Sequence, residues 1–444
     1  TGLFSGRLPL VFFTNMPTNS GMVQYQAQLN AKTKLNGELI DMDTFKGGLV
    51  VNEKGQPTID ALRNKLIGMG FPETITPEEG ALPSSISAVD PDFKMPQVWK
   101  TSLAVDYQIP VSFPFSVTVE GIFNKTLNAA TLSDWSVRDV RGFTRLNGAD
   151  NRPIYPTGAG RLPDVKQAYV LENTSRGYGW SGSITLNAQP WDFMSLMAAY
   201  THTVSKEVTS LPGSNASSVL NYISTVYGPN NIKLHNGKNV TPDRFIASAT
   251  IHDKSNNHYS LIYETWRGGY NYSYMTQNDM NGDSYNYDAI YIPTDQQVAN
   301  KEFRFVSEDD QNRFMDYVHN NSYLKNHQGE YAEAYSLYSP WVHRIDFSYK
   351  HDFKLDIAKH THTLQVSFDM KNVLNFFNSS WGVSKYLNPE IGSEARILKY
   401  EGYDADGIAT FSTPKSINGN TKTFVPNHAI GQCWYASVGV KYIF

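Results

Sequence analysis

Residues 279–283 read Asp-Met-Asn-Gly-Asp, the opening rhythm of a calcium loop, in which alternate side-chain oxygens converge on a hard cation. Asp279, Asn281 and Asp283 would supply those oxygens, with Asp288 as a further ligand. An EF-hand needs glycine at its sixth position and glutamate at its twelfth, and those places hold Ser284 and Ile290. Two readings therefore stand: a calcium site in a loop, and an ordinary polar turn. His360 and His362 lie two apart with no third ligand in view, which suits exposed turn residues better than zinc. Gly177 to Gly182 spell a literal GxGxxG, but an alternating segment follows where a dinucleotide site needs a helix N-terminus. Asp106, Glu120, Asp346 and Asp369 could mimic an acid/base pair, yet no HExxH, GxSxG or P-loop accompanies them. The expectation is a protein that is not an enzyme and that holds no cofactor beyond the loop calcium. Cys433 is the only cysteine, so no intramolecular disulfide can form.

The elements that would carry these residues are strands. Period-2 alternation recurs in segments of about ten residues. At the C-terminus Trp434, Ala436, Val438, Val440, Tyr442 and Phe444 share one face, and Tyr435, Ser437, Gly439, Lys441 and Ile443 the other. Leu103, Val105, Tyr107 and Ile109 alternate with polar residues, as do Phe115, Val117, Val119 and Phe123. So do Ile345, Phe347, Tyr349 and Phe353, and Leu364, Val366, Phe368 and Met370. Weaker strands are expected near 178–189, 194–206, 244–254 and 258–274. At ~3.3 Å per residue and a tilt near ~40°, the segments Trp341–Phe353 and Trp434–Phe444 rise roughly 30 and 25 Å. That matches the apolar band of an outer-membrane barrel, about 25 Å tall, with aromatics at both rims.

Connections alternate between short, near 109–113, 190–193, 255–257 and 354–362, and long, near 127–165, 209–243, 275–340 and 413–433. Short turns at one end and long loops at the other are the habit of such barrels. About twelve to fourteen strands are expected, with a short amphipathic helix over 57–69. The chain is 13% aromatic, with 27 Tyr, and only 18% charged, while its mean hydropathy of −0.41 is polar. Half-wet strands with aromatic rims give that combination. A net charge of −4 argues against a nucleic-acid binder. The segment at Thr1 reads as a cut end, so a leader and an N-terminal region are expected upstream.

Several segments together resemble the C-terminal barrel of TonB-dependent receptors, in particular the Oar-like and starch-utilisation-type members found in Bacteroidetes. They are 279–293 (DMNGDSYNYDAIYIP), 323–347 (YLKNHQGEYAEAYSLYSPWVHRIDF) and 363–382 (TLQVSFDMKNVLNFFNSSWG), with 86–105 (ISAVDPDFKMPQVWKTSLAV) and 9–21 (PLVFFTNMPTNSG) in order upstream. The terminal Phe444 fits the aromatic end that barrel assembly reads. The resemblance implies a transmembrane antiparallel β-barrel of 22 strands in the Gram-negative outer membrane, of which residues 1–444 would be the C-terminal portion. It implies a plug and a TonB box in a missing N-terminal region, coupled through TonB, ExbB and ExbD to the proton-motive force. It also implies, in some members, a regulatory domain or a surface lipoprotein partner. The function expected is import of a bulky nutrient, a glycan or peptide, captured by Tyr- and Asn-rich loops at 209–243 and 275–340. A passive channel of about fourteen strands and a structural or adhesive surface barrel are the rival readings.

Overall fold

The structure is a computed structural model. It describes residues 1–8, 85–137, 142–155, 167–209, 219–220, 223–357, 360–392 and 394–443, with scattered positions between 34 and 76. The segment 9–21 and Phe444 lie outside the described residues, as does most of the helix expected over 57–69.

Ten strands form one antiparallel wall in chain order: β1 (Gly2–Ser5), β2 (Gln97–Gln108), β3 (Phe115–Asp134), β4 (Tyr178–Trp191), β5 (Met194–Glu207), β6 (Asp243–His252), β7 (Asn257–Arg267), β8 (Val342–Ile357), β9 (His360–Lys371) and β10 (Tyr435–Ile443). The all-β, antiparallel expectation is met. Three further strands of the same sheet lie off the wall path, which brings it to 13 strands, within the twelve to fourteen expected. Among the described residues β1 and β10 do not pair, so the wall ends in two open edges.

The register explains why the alternation was so regular. Val105, Val119, Ile184 and Tyr200 stand opposite one another across β2 to β5. Leu196, Ala249 and Leu261 continue the row across β5 to β7, and Leu261, Phe347, Met370 and Ala436 carry it to β10. A one-residue slip anywhere would turn a whole strand inside out, so this face fixes every pairing. The face is exposed at Leu103 (74%) and Val438 (73%) near its margins and half-buried at Leu196, Ala249, Phe347 and Met370. The opposite face is polar and cross-linked. Arg244 donates to Glu264 (2.6 Å), Lys371 to Asp346 (2.9 Å) and Ser348 to Asp369 (2.6 Å). Among the described residues no helix is long and apolar enough to cross a membrane, which says nothing of strands.

All short connections lie at one end of the wall. The turn expected over 354–362 shrinks to 358–359, because β8 and β9 run on as a paired ladder to Ile357 and His360. All long connections lie at the other end, and the last runs over 372–434, longer than expected. They are not plain polar loops. The buried core sits here, with Tyr274, Ile290, Ile292, Phe314, Tyr317, Ile397, Leu398 and Phe411 in one cluster. Residues Met275–Gln277, Arg396–Tyr403, Ala409–Ser412 and Arg304–Phe305 form a four-stranded sheet that ties the segment 268–341 to 372–434.

Helix α1 (Asp295–Ala299) starts with a capping box from Thr294 and Gln297. Helix α2 (Glu308–Asn320) is capped by Ser307, carries three acids in its first turn and buries Phe314, Met315, Tyr317 and Val318. Neither helix was expected from the sequence.

Candidate functional site in the loop body

Arg152 is the centre of a buried polar network in the loop body. Its Nη2 and Nε donate to the two oxygens of Asp150 (2.8 and 2.9 Å), its Nη1 donates to Asp288 (3.0 Å), and Nη2 also reaches the Ala289 carbonyl (2.7 Å). Tyr331 donates from Oη to Asp150 (2.9 Å) and lays its ring against the guanidinium. Burial works against the charge on Arg152, but Asp150 and Asp288 outweigh it and hold the group protonated. Burial, and then the Asp150 charge, push the Tyr331 hydroxyl far above its ordinary range.

This network bears on the calcium reading of 279–288. Asp279 spends both oxygens capping its own turn, accepting from the Gly282 and Ser284 amides (2.7 Å each). Asn281 and Asp283 are buried and linked, Nδ2 to Oδ2, at 3.2 Å. Asp283 also accepts from the Tyr285 amide (2.8 Å). Asp288 accepts from the Met280 amide (2.9 Å) and faces Arg152. Burial drives the Asp283 carboxyl well above the usual carboxylate range, helped by the charges of Asp288 and Asp279. Asp288 is pushed up to about 7 by burial, against the pull of Arg152. Among the described residues no group of three or more His, Cys, Asp or Glu side chains could hold a metal ion. The cation beside Asp288 is a guanidinium supplied from 136 residues upstream. Nothing in the spacing of 279–288 could reveal it.

The network carries the floor of a cavity of about 150 Å³. Thr225 donates its amide to the Tyr287 carbonyl (3.0 Å), Ala289 to Thr225 (2.9 Å), and Ala332 to Ile290 (2.9 Å). Three backbone segments are thus stitched into one surface, with Arg152 bonded beneath it to Ala289. Val226, Leu234, Ala289, Ala332 and Ala334 give an apolar lining. Ser224 and His235 bring polar groups into it, and Tyr227, Lys233 and Glu333 stand around it. His235 is placed by its pairing with Glu207 at the loop end of β5, and its ring packs edge-on against Tyr335 (5.3 Å). Lys206, next along β5, pairs with Glu333.

The other flagged residues stay apart from this cavity. The glycines of 177–182 lead into β4 with no helix following; Gly177, at φ +138°, lets the chain pass close to Thr126 and Lys206. His362 stacks on Tyr442 and shares a hydrogen bond with its hydroxyl (2.5 Å) at the turn end. Asp106, Glu120, Asp346 and Asp369 line the polar face of the wall, where Asp106 accepts from Thr118 (2.5 Å). The loop tyrosines expected to face a ligand are divided. Tyr285, Tyr291, Tyr317 and Tyr335 are core, while Tyr227 and Tyr331 reach the cavity.

No family model matches the chain. No curated protein matches it. Among solved structures it is similar to the outer membrane transporter YddB from Escherichia coli, at 10% identity and a TM-score of 0.35, over 82% of this chain. The chain spans 35% of the length of that transporter, and a likeness this distant is no guide to function.

Proposed function

We propose that the chain is the wall and outer loop body of an outer-membrane transporter for a bulky nutrient, of the TonB-dependent kind, with no covalent chemistry of its own. One observation carries the reading. A row of apolar side chains, exposed or half-buried, runs from β2 to β10, and a charged, hydrogen-bonded face lies behind it. In water such a row would cost ~25 cal/mol for each Å² left wet, so hydrocarbon is the solvent that suits it. The polar face then borders an aqueous lumen, the short turns face the periplasm, and the packed loop body with its cavity faces outside. Ligand caught in the body passes along the polar face once a plug, supplied by a missing N-terminal region, rearranges. The segment is then the C-terminal portion of a larger closed barrel, and its two open edges pair with the remaining strands.

The full-length protein should fractionate with outer membranes, resist a carbonate wash and need detergent for release. Recovery as a freely soluble protein would sink the proposal. Nutrient uptake that persists after deletion of TonB would leave the barrel but remove the energy coupling.

A further inference from the structure

Two buried polar atoms lining the loop-body cavity have no hydrogen-bond partner among the described residues. Ser224 is 7% exposed, and its Oγ has no hydrogen-bond partner among the described residues. His235 is 2% exposed; its Nδ1 is 2.8 Å from the Asn236 carbonyl, and its Nε2 makes no hydrogen bond among the described residues. Burial lowers the basicity of this imidazole, against the carbonyls of Asn236 and Val208, so the ring is neutral. With Nδ1 donating to Asn236, Nε2 is left as an acceptor. Unmade bonds of this sort cost about 1–3 kcal/mol each, a cost that a bound polar group would remove.

The rest of the lining narrows what would make those bonds. The floor is aliphatic, and each nearby aromatic ring already has a cation against it. Lys233 and Arg145 lie over the ring of Tyr227 (5.1 and 5.8 Å), and Arg152 lies over that of Tyr331 (5.6 Å). A sugar ring stacking here would compete with those cations. Lys233 has no carboxylate within ion-pair distance among the described residues, whereas Lys206 and Glu333 neutralise each other. At about 150 Å³ the cavity is smaller than the 300–1,000 Å³ usual for whole ligands, so it suits the end of a longer molecule.

The geometry points to a site for the C-terminal residue of a peptide: its carboxylate on Lys233, its small aliphatic side chain against Val226, Leu234 and Ala332, and its amide N–H donated to His235 Nε2, with Ser224 completing the polar contacts. This inference rests on the transporter reading for its purpose but not for its chemistry. A free aliphatic acid shares the carboxylate and the apolar group but lacks the N–H, which separates the two sources.

The test uses full-length protein in detergent and calorimetric titration with four probes: Ala-Ala-Val with a free C-terminus, its C-terminal amide, 3-methylbutanoate and N-acetylglucosamine. The free-acid peptide should bind, with the amide and the simple acid each weaker by about ten-fold or more. Lys233→Gln should weaken the free acid about ten-fold and leave the amide nearly unchanged. Ala332→Leu, which fills the cavity, should abolish both. Equal binding of acid and amide, equal binding of 3-methylbutanoate, preference for the sugar, or no binding of the free acid would each overturn the site. A membrane-inserted protein that ignores the peptide loses the site and keeps the transporter. A freely soluble protein that binds it loses the transporter and keeps the site.

Discussion

Arg152 is out of reach of water, and among the described residues its two carboxylates have no other strong cation in contact. A buried pair deprived of one partner leaves an uncompensated charge, at a cost of about 3–5 kcal/mol. Arg152→Met should therefore loosen the loop body by that order. The measurement is hydrogen exchange of the amides in 279–292, which should speed up markedly while those of β7 to β9 do not. Unchanged protection of 279–292 would contradict the central role given to this residue. Asp283 makes a second case, with the opposite sense. Its folded-state carboxyl lies well above its ordinary value, so the folded body holds a proton that the unfolded chain has released. Stability is then greatest below the ordinary carboxylate range and falls as pH rises towards the folded value. Asp283→Asn keeps an oxygen for the Tyr285 amide and removes the charge. Loop-body protection in that variant should gain at pH 8 and depend less on pH between 5 and 8. A parental protein with equal protection at both pH values would rule this out.

At the scale of the element, β10 is the sharpest test of the wall. Val438 and Val440 stand opposite Phe368 and Val366 on the apolar row and are among the most exposed residues of the chain. Arginine at either site should cost about 2–4 kcal/mol near the bilayer midplane and reduce insertion. Outer-membrane yield measures the effect, and normal yield of both variants would contradict the lipid-facing assignment. The wall was legible in the sequence because its two faces differ in polarity. Val105, Leu261 and Val438 lie on the exposed apolar face while their neighbours lie on the polar one, and that writes a period of two. Helix α2 was not legible. Its apolar residues are few, its first turn reads as loop-like Glu308-Asp309-Asp310, and its tyrosine passes for a surface residue. What makes it a helix is Ser307 at its cap and the packing of Phe314 and Val318 into a core built from distant segments.

For the whole molecule, the division of labour runs along the strands rather than between layers. One half has almost no buried interior, and the other holds the core. The candidate site belongs to the second half, and its parts are far apart in sequence. Asp150 meets Tyr331 across 181 residues, and Arg152 meets Asp288 across 136. Local spacing cannot encode such meetings, which is why the 279–288 segment was noticed for its oxygens while its guanidinium and its cavity were not. The two halves are nonetheless joined by one beam. Strand β3 runs for 20 residues, roughly 63 Å if fully extended, with Phe115 in the turn-end row and Ala130 and Leu132 inside a buried cluster of the body. The ribbon is not uniform between its two clamps: opposite Gln97 and Val98 the register skips from Asn128 to Thr126, a bulge at which the strand bends. Torque applied to the body would therefore be taken up in part at that bulge before it reaches the foot of the wall.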